Sequence, residues 1–263
     1  MTQGSGTGGW TNRRVRVTAI LLLVAGCAVW VPSKLWTKHD LNACFYDSAS
    51  VPASVRQQVV RAAVEWEKFA YLHFDFGADS ANPQLCRNDQ LYDVTIALRS
   101  DGSWSAIGAQ SARMTWPSMN LDVFTDTGHT TTKPPVEFNR IVLHEFGHAI
   151  GFEHEFQSPS GNCAAHLNWN KVTQLLGQHF GWSAKMVQDN LGSMDTSYDA
   201  MGDEMQSTPF DRDSVMLYAL PAEAFTDGDK DTCFIPKLNA ELSATDKRIA
   251  GELYPKPTAD LTD

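Results

Sequence analysis

The run HEFGHAIGFEH, from His144 to His154, restricts the fold more than any other part of this 263-residue chain. His144 and His148 are four residues apart, so on an α-helix both imidazoles lie on one face and can bind a single ion. Gly151 follows, and glycine readily adopts the left-handed conformation that ends a helix. The chain can then turn back and bring His154 to the same ion as a third ligand.

The chemistry of this run is that of a catalytic zinc site. One Zn²⁺ accepts neutral imidazole nitrogens and prefers four ligands, and a catalytic site keeps one position for water. Glu145 lies about 100° around the helix from His144, beside that water, where it can accept a proton. The alternative interpretation, a solvated polar helix face, explains one histidine but explains three poorly.

Hydrophobic patterns predict an α+β fold, an α/β sandwich with a mixed sheet. The zinc-binding helix should run from Val136 to about Gly151, and a C-terminal helix should begin at Ser243, with Asp246 completing its capping box. Two long helices lie in the N-terminal half, and the C-terminal half is irregular until that last helix. The other predicted elements are strands at 38–47, 72–76, 94–98, 104–109 and 120–124, and helices at 51–70, 168–178 and 183–190.

The N-terminus carries an export or anchoring signal. The apolar run Val17–Val31 follows a basic segment and is shorter than the roughly 20 residues of a membrane-spanning helix. Within it, Val24–Cys27 (VAGC) resembles a bacterial lipobox, in which Cys27 would be lipidated. An uncleaved membrane anchor and a signal peptide cleaved elsewhere remain alternatives. We expect residues 1–35 to comprise a disordered start and this signal, and residues 36–263 to form the catalytic domain.

The remaining cysteines indicate an oxidising, extracytoplasmic compartment. They number four once Cys27 is set aside, which suits two disulfides. Three pairings are possible, and we favour Cys44–Cys86 with Cys163–Cys233 because each then stays within one half of the chain. No C-x-x-C motif is present, which argues against a structural zinc knuckle.

The formal charge of −10 disfavours nucleic acid and anionic lipid as partners of the folded part. We expect a peptide or protein substrate, and contact with a membrane only through the N-terminal segment. The oligomeric state is left open by the sequence.

The full pattern H-E-x-x-H-x-x-G-x-x-H resembles the metzincin signature. The run HAIGFEHE, with Phe152 after the glycine and Glu155 after the third histidine, resembles the astacin family of zinc endopeptidases. The resemblance implies a twisted mixed sheet, an upper subdomain at 36–154 and a lower one at 155–263. It also implies a methionine turn beneath the metal, which SVMLY at Ser214–Tyr218 supplies.

In that turn Met216 matches the family's methionine, and Tyr218 matches the tyrosine that stabilises the tetrahedral intermediate. Weaker similarity extends over about residues 36–255 and includes LNWNKV at Leu167–Val172 and the C-terminal helix. The resemblance further implies an antiparallel edge strand above the cleft, where a peptide substrate pairs by strand addition. By chain order this edge would be Trp104–Ala109.

Two positions depart from the family. Leu217 replaces the histidine between the methionine and the tyrosine, which affects details of the cleft but no metal ligand. Glu155 matches a glutamate that engages the new N-terminus after propeptide removal. Only Pro32–Thr37 separate the apolar run from the first strand, so a sizeable propeptide is not expected. Glu155 then either supports the structure of the site or is a surface carboxylate.

The sequence is therefore interpreted as an exported zinc metalloendopeptidase. A catalytically silent zinc module that binds a protein or cell-wall ligand is the alternative, and a membrane-tethered interaction protein that merely mimics the motif is a third. We expect Asp211 and Asp213 to be turn formers. For Trp169, Phe180 and Trp182 we favour packing in the core, with the lining of a cleft as the alternative. Histidines without ligand spacing are expected at the surface or satisfied in the core: His39, His73, His129, His166 and His179.

Overall fold

The computed structural model describes residues 28–46, 50–115, 117–193 and 205–257. Of the signal or anchor segment predicted within residues 1–35, residues 1–27, which include the lipobox cysteine Cys27, lie outside the described residues. Among the helices that are described, none is long and apolar enough to cross a membrane.

A five-stranded mixed sheet forms one layer of the N-terminal half, in the order β3-β2-β4-β6-β5. β2 (Asp40–Phe45) pairs in parallel with β3 (His73–Asp75) and with β4 (Val94–Ala97). β4 pairs in parallel with β6 (Met119–Asn120), and β5 (Trp104–Ser105) is the antiparallel edge strand. Every residue of β4 is buried, as expected for a strand covered on both faces.

Two long helices, α1 (Ala53–Ala63) and α2 (Pro135–Ala149), pack against each other and share one hydrophobic core with the sheet. The Phe146 ring of α2 meets Phe74 of β3 edge-on, with 5.0 Å between ring centroids. Aromatic packing of this kind aligns α2 with the sheet, and α2 is the helix that carries the histidine motif.

Three elements are clearly shorter than their patterns predict, and the first is the strand expected at 120–124, which is reduced to the two residues of β6. α1 ends at Ala63 rather than near residue 70, and the chain continues as a 3₁₀ helix at Trp66–Lys68, where the Trp66 indole donates to the backbone oxygen of Leu143. The strand predicted at 104–109 stops at Ser105. A 3₁₀ helix, Gly108–Arg113, follows, and its first residue has a positive φ of 50°.

The folded domain begins before residue 36, which corrects the expected boundary. β1 (Val29–Trp30) pairs antiparallel with β7 (Gln206–Ser207), and the backbone oxygen of Val29 accepts the N–H of Glu153 at 2.8 Å. The side chains of Ala28, Val29 and Val31 are buried. The end of the apolar run is therefore part of the packed domain, because its side chains fill space against the loop after α2.

The C-terminal half contains α3 (Cys163–His166), α4 (Trp169–Phe180), α5 (Ala184–Leu191) and α6 (Ala244–Leu253). α3 to α5 surround a second hydrophobic cluster, whereas α6 packs on the first. The separate clusters support the predicted division into two subdomains, which stays a prediction. The Ser243–Asp246 capping box at the start of α6 is present as expected.

Two disulfides join segments far apart in sequence. Cys44–Cys86 links β2 to the loop before β4, and Cys163–Cys233 links α3 to the segment before α6. Both are the pairs favoured from the sequence. Each cross-link restricts the unfolded chain and so stabilises one half of the domain.

Candidate metal centre and active site

The helix that carries the first two histidines ends at the glycine expected to end it. α2 stops at Ala149, and Gly151 has a φ of 108°, a conformation open to glycine but strained for other residues. The side chain of Leu35 also occupies the space that a Cβ at Gly151 would need. The N–H of Phe152 bonds back to the Gly147 oxygen at 3.0 Å, so the chain reverses and returns towards the helix.

This reversal brings the three imidazoles together. The candidate ligand nitrogens of His144, His148 and His154 all lie within 4.8 Å of one another, and the Nε2 atoms of His148 and His154 are 3.0 Å apart. All three side chains are buried. The sequence prediction that the third histidine joins the first two therefore agrees with this geometry.

Backbone carbonyls fix the tautomers of the two helical histidines. Nδ1 of His144 lies 2.8 Å from the oxygen of Val215, and Nδ1 of His148 lies 2.7 Å from the oxygen of Phe152. A carbonyl oxygen only accepts, so each Nδ1 carries the proton and each Nε2 presents a lone pair. Burial, as the largest cause, lowers the pKa of His144, His148 and His154, which favours neutral rings. Three neutral imidazole nitrogens facing one point are the donor set that zinc binds.

Glu145 lies beside this donor set and faces the same cleft. Its side chain is buried, and its Oε2 atom has no hydrogen-bond partner among the described residues. Burial raises the pKa of Glu145 to about 8, while the positive charge of Arg140 opposes that rise. A buried carboxyl oxygen without a partner is costly unless a ligand completes its hydrogen bonding, so this atom suits a reacting water.

The methionine turn packs against α2, the helix that carries His144 and His148. A Cβ at Gly147 would overlap the sulfur of Met216, so a glycine here lets helix and turn approach closely without displacing that side chain. Three successive carbonyls of the turn accept hydrogen bonds from the segment that carries the histidines. The oxygen of Val215 accepts from Nδ1 of His144 at 2.8 Å. The oxygen of Met216 accepts the N–H of Glu155 at 3.1 Å, and that of Leu217 accepts from Nη2 of Arg140 at 3.3 Å.

Tyr218 follows this turn, and its hydroxyl lies 2.8 Å from Nε2 of His154. The two ring centroids are 4.6 Å apart. Burial raises the pKa of Tyr218, so its hydroxyl keeps its proton and acts as a donor at neutral pH. The tyrosine therefore stands within reach of any group bound at the histidines.

An open cleft of about 1090 Å³ leads to these groups. Glu145, His148, His154 and Tyr218 line its floor. β5 (Trp104–Ser105) lines one part of the cleft, and another part is lined by residues from the end of α4 through α5: Phe180, Trp182, Met186, Asp189 and Asn190. A cleft of this size accommodates several residues of an extended peptide.

The family assignment follows from a match that covers most of the chain. The model of the peptidase family described as Astacin matches residues 29–249. The chain belongs to the astacin family. The matched range includes the three histidines, Glu145 and the methionine turn, so the chain carries an astacin-family metalloprotease domain with the mixed α+β fold expected.

Individual relatives place the domain within this family. Protein SpAN of Strongylocentrotus purpuratus is 23% identical over 209 residues, which cover 77% of this chain and 29% of SpAN. High choriolytic enzyme 2 of Oryzias latipes is 22% identical over 230 residues, covering 84% of this chain and 69% of that protein. A solved structure of myroilysin matches with a TM-score of 0.68 and 27% identity, over 88% of this chain and 100% of that one.

Three further residues of this astacin domain have defined environments, of which Phe180 alone differs from the favoured expectation. Glu155 is fully buried, and its Oε1 accepts the N–H of Asp211 at 3.0 Å, so it is not a surface carboxylate. Asp211 also accepts the N–H of Asp213 at 2.9 Å, as a turn former does. Phe180, expected in the core, is 64% exposed and lines the cleft.

The other candidates lie apart from the metal centre. Trp169 packs on the second hydrophobic cluster, whereas Trp182 both packs on that cluster and lines the cleft. His166 pairs with Asp231 at 3.1 Å, and the nearby Cys233 is held in a disulfide. The remaining histidines are exposed or partly buried and do not join the triad: His39, His73, His129 and His179.

Sequence reasoning missed three residues that support this site. Arg140 lies one helical turn before His144 and is buried, a spacing that could have revealed it. Lys34 bonds Glu153 at 2.7 Å, beside the third histidine, and these residues are 119 positions apart. Asp246 was expected only as a helix cap, yet it also bonds the methionine turn.

Proposed function

We propose that this chain is an exported zinc-dependent metalloendopeptidase that hydrolyses peptide bonds in proteins. One observation carries the proposal: three buried, neutral imidazoles converge beside Glu145 on the floor of an open cleft. His144, His148 and His154 would hold one Zn²⁺. Zinc bound there supplies a Lewis acid that polarises the scissile carbonyl and acidifies water.

Glu145 is the proposed general base. Its unpartnered Oε2 accepts a proton from the attacking water and then delivers it to the leaving amine. The position of Glu145 suits both steps, because its free carboxylate oxygen faces the cleft beside the three histidines, where the water and the leaving amine would lie. The Tyr218 hydroxyl, protonated at neutral pH, donates to the oxyanion that forms on the scissile carbonyl.

The edge strand β5 is the proposed docking element for the substrate backbone. β5 is the last strand of the sheet, and its outer edge pairs with no strand in the described part of the chain. An extended peptide can add there by strand addition, in which the backbone groups of every second residue bond to β5 and those of the residues between face the other way. This mode recognises the backbone, so it is compatible with protein substrates of varied sequence.

Export is supported by the two disulfides, since disulfides persist in oxidising compartments. Attachment to an envelope through lipidated Cys27 remains a proposal beside an uncleaved anchor and a differently cleaved signal. Mass spectrometry of the mature N-terminus separates the three. Lipidation predicts a diacylated or triacylated Cys27, an anchor predicts an intact residue 1–31 segment, and cleavage elsewhere predicts an unmodified new N-terminus.

The decisive experiment compares wild type with Glu145→Ala, both zinc-loaded, on a broad peptide library. The variant should keep one zinc per chain and lose cleavage by about 10²–10⁴-fold, the usual contribution of a general base. Glu252→Ala, an exposed carboxylate on α6, serves as the matched control and should cleave like wild type. Folded, zinc-replete wild type that cleaves no better than Glu145→Ala would overturn the proposal and favour a non-catalytic binding module.

A further inference from the structure

The part of the cleft between α4 and α5 carries a group of exposed apolar side chains. We define the apolar wall as Phe180, Trp182 and Met186. Phe180 is 64% and Met186 45% exposed, while Trp182 is partly buried. Single exposed hydrophobic residues are common on protein surfaces, but a contiguous group beside a reactive site marks a binding surface.

The ends of two helices hold these side chains on the cleft side. α4 ends at Gly181, whose φ of 67° turns the chain sharply, and the N–H of Trp182 bonds to the oxygen of Leu176. Ser183 then caps α5 by accepting the N–H of Met186 at 3.2 Å. A capped helix end on each side of the turn restricts its backbone, so the rings are presented in a fixed place.

The apolar wall is continuous with the proposed reacting groups. The ring centroids of Phe180 and Trp182 are 6.0 Å apart, and those of Trp182 and Tyr218 are 6.4 Å apart and nearly perpendicular. Tyr218 in turn lies against His154. A side chain resting on Trp182 therefore belongs to a residue close to the scissile bond.

Charges near the wall are already neutralised by partners in the protein. Asp189 pairs with Lys185 at 2.7 Å, and Glu153 pairs with Lys34 at 2.7 Å. Arg113 also lines the cleft, but it belongs to the 3₁₀ helix that follows β5. The wall thus offers rings and a thioether rather than a free charge to an incoming side chain.

We propose that the apolar wall is a specificity subsite that takes an aromatic or long aliphatic side chain of the substrate near the scissile bond. The inference rests on the proposed function. Side chains of an extended peptide alternate between the two faces of the sheet that it joins, so a peptide paired with β5 directs every second side chain into the cleft that the apolar wall also lines. An aromatic ring placed there stacks on Trp182 and Phe180 and leaves water.

The test uses the zinc-loaded full chain and quenched peptides that share one cleavable sequence. Phe, Leu, Ala, Glu and Lys are placed in turn at each of three positions on either side of the scissile bond. Wild type should favour Phe over Ala by about tenfold or more in kcat/KM at one position, as apolar pockets discriminate. Trp182→Ala and Phe180→Ala should bring that ratio towards one, and Trp182→Phe should keep most of it.

Leu91→Ala, which removes a 91% exposed side chain away from the cleft, should leave the ratio at its wild-type value. Three results would overturn the inference and leave the proposed peptidase function standing. They are equal kcat/KM for Phe and Ala at every position, a preference for Glu or Lys, and a Phe-to-Ala ratio that is unchanged in both alanine variants. If wild type cleaves no peptide, the proposed function fails instead. Calorimetry then decides the inference, since the Phe peptide must bind wild type more tightly than the Ala peptide, and equal affinities overturn it.

Discussion

The carboxylate of Asp246 accepts the backbone N–H of Val215 at 3.0 Å, and the oxygen of Val215 accepts Nδ1 of His144 at 2.8 Å. Asp246 is fully buried, and it also accepts the Ser214 hydroxyl at 2.8 Å. Burial raises the pKa of Asp246, and these hydrogen bonds oppose the rise. The first residues of the C-terminal helix thereby hold the turn that orients a proposed metal ligand.

Asp246→Ala should therefore weaken both folding and metal binding. The change leaves several buried donors without an acceptor, so we expect the free energy of unfolding to fall by about 3 kcal/mol. Loss of a group that orients a ligand typically lowers metal affinity by about 10–100-fold. Urea unfolding and zinc competition with a chelator measure the two effects. Glu252→Ala on the same helix should change stability by about 0.5 kcal/mol or less, and equal behaviour of the two variants would contradict the account.

Gly147→Ala should destabilise the domain by about 1–3 kcal/mol, because its methyl group would overlap Met216 and crowd Trp66. Met216→Ala on its own removes the sulfur that causes the overlap and leaves a cavity. The double variant should be more stable than the sum of the single effects predicts, which a double-mutant cycle by thermal or urea unfolding will reveal. If the two changes in the free energy of unfolding are strictly additive, the side chains at positions 147 and 216 do not interact sterically, which would contradict the account.

The Lys34–Glu153 ion pair should contribute more to stability than a surface pair of the same length. Their side chains are only 18% and 9% exposed, so breaking the pair leaves a poorly solvated charge beside the third histidine. We expect Lys34→Met to cost about 2 kcal/mol, and much of that cost to disappear in Lys34→Met/Glu153→Gln. The Lys185–Asp189 pair is the control, since it has the same 2.7 Å distance at 82% and 50% exposure. The coupling energy of the Lys185–Asp189 pair should be about 0.5 kcal/mol or less. If both pairs have similar coupling energies, burial does not explain the strength of the Lys34–Glu153 pair.

Removing either disulfide should cost about 2–5 kcal/mol. The pairs Cys44–Cys86 and Cys163–Cys233 span 42 and 70 residues, and the chain-entropy relation makes the longer loop more stabilising by only about 0.5 kcal/mol. Serine double variants, compared by urea unfolding under oxidising conditions, measure both values. A loss below about 1 kcal/mol for either pair would show that this cross-link does not restrict the unfolded chain as inferred.

The parts of this protein that follow from the sequence are those with a local pattern. The spacing of His144, His148, Gly151 and His154 encodes a helix, its end and a return of the chain, and the structure has all three. The capping box at Ser243 is likewise visible, because its two partners are three residues apart.

The parts that the sequence did not reveal depend on distant pairings. Lys34 and Glu153 are 119 residues apart in the sequence, and Val215 and Asp246 are 31 apart. No sequence periodicity predicts contacts over such separations. Phe180 has the hydrophobicity of a core residue, and only the left-handed turn at Gly181 and the position of the cleft explain its exposure. Tertiary packing therefore decides the lining of the cleft, whereas local spacing decides the candidate ligands.

The central claim is that three imidazoles meet at one metal ion. A crystal of the zinc-loaded protein, measured at the zinc absorption edge, tests it most directly through an anomalous difference map. The account predicts a single strong peak about 2.0–2.1 Å from Nε2 of His144, His148 and His154. A peak bound by only two of these histidines, or one elsewhere with the His154 imidazole turned away, would contradict it.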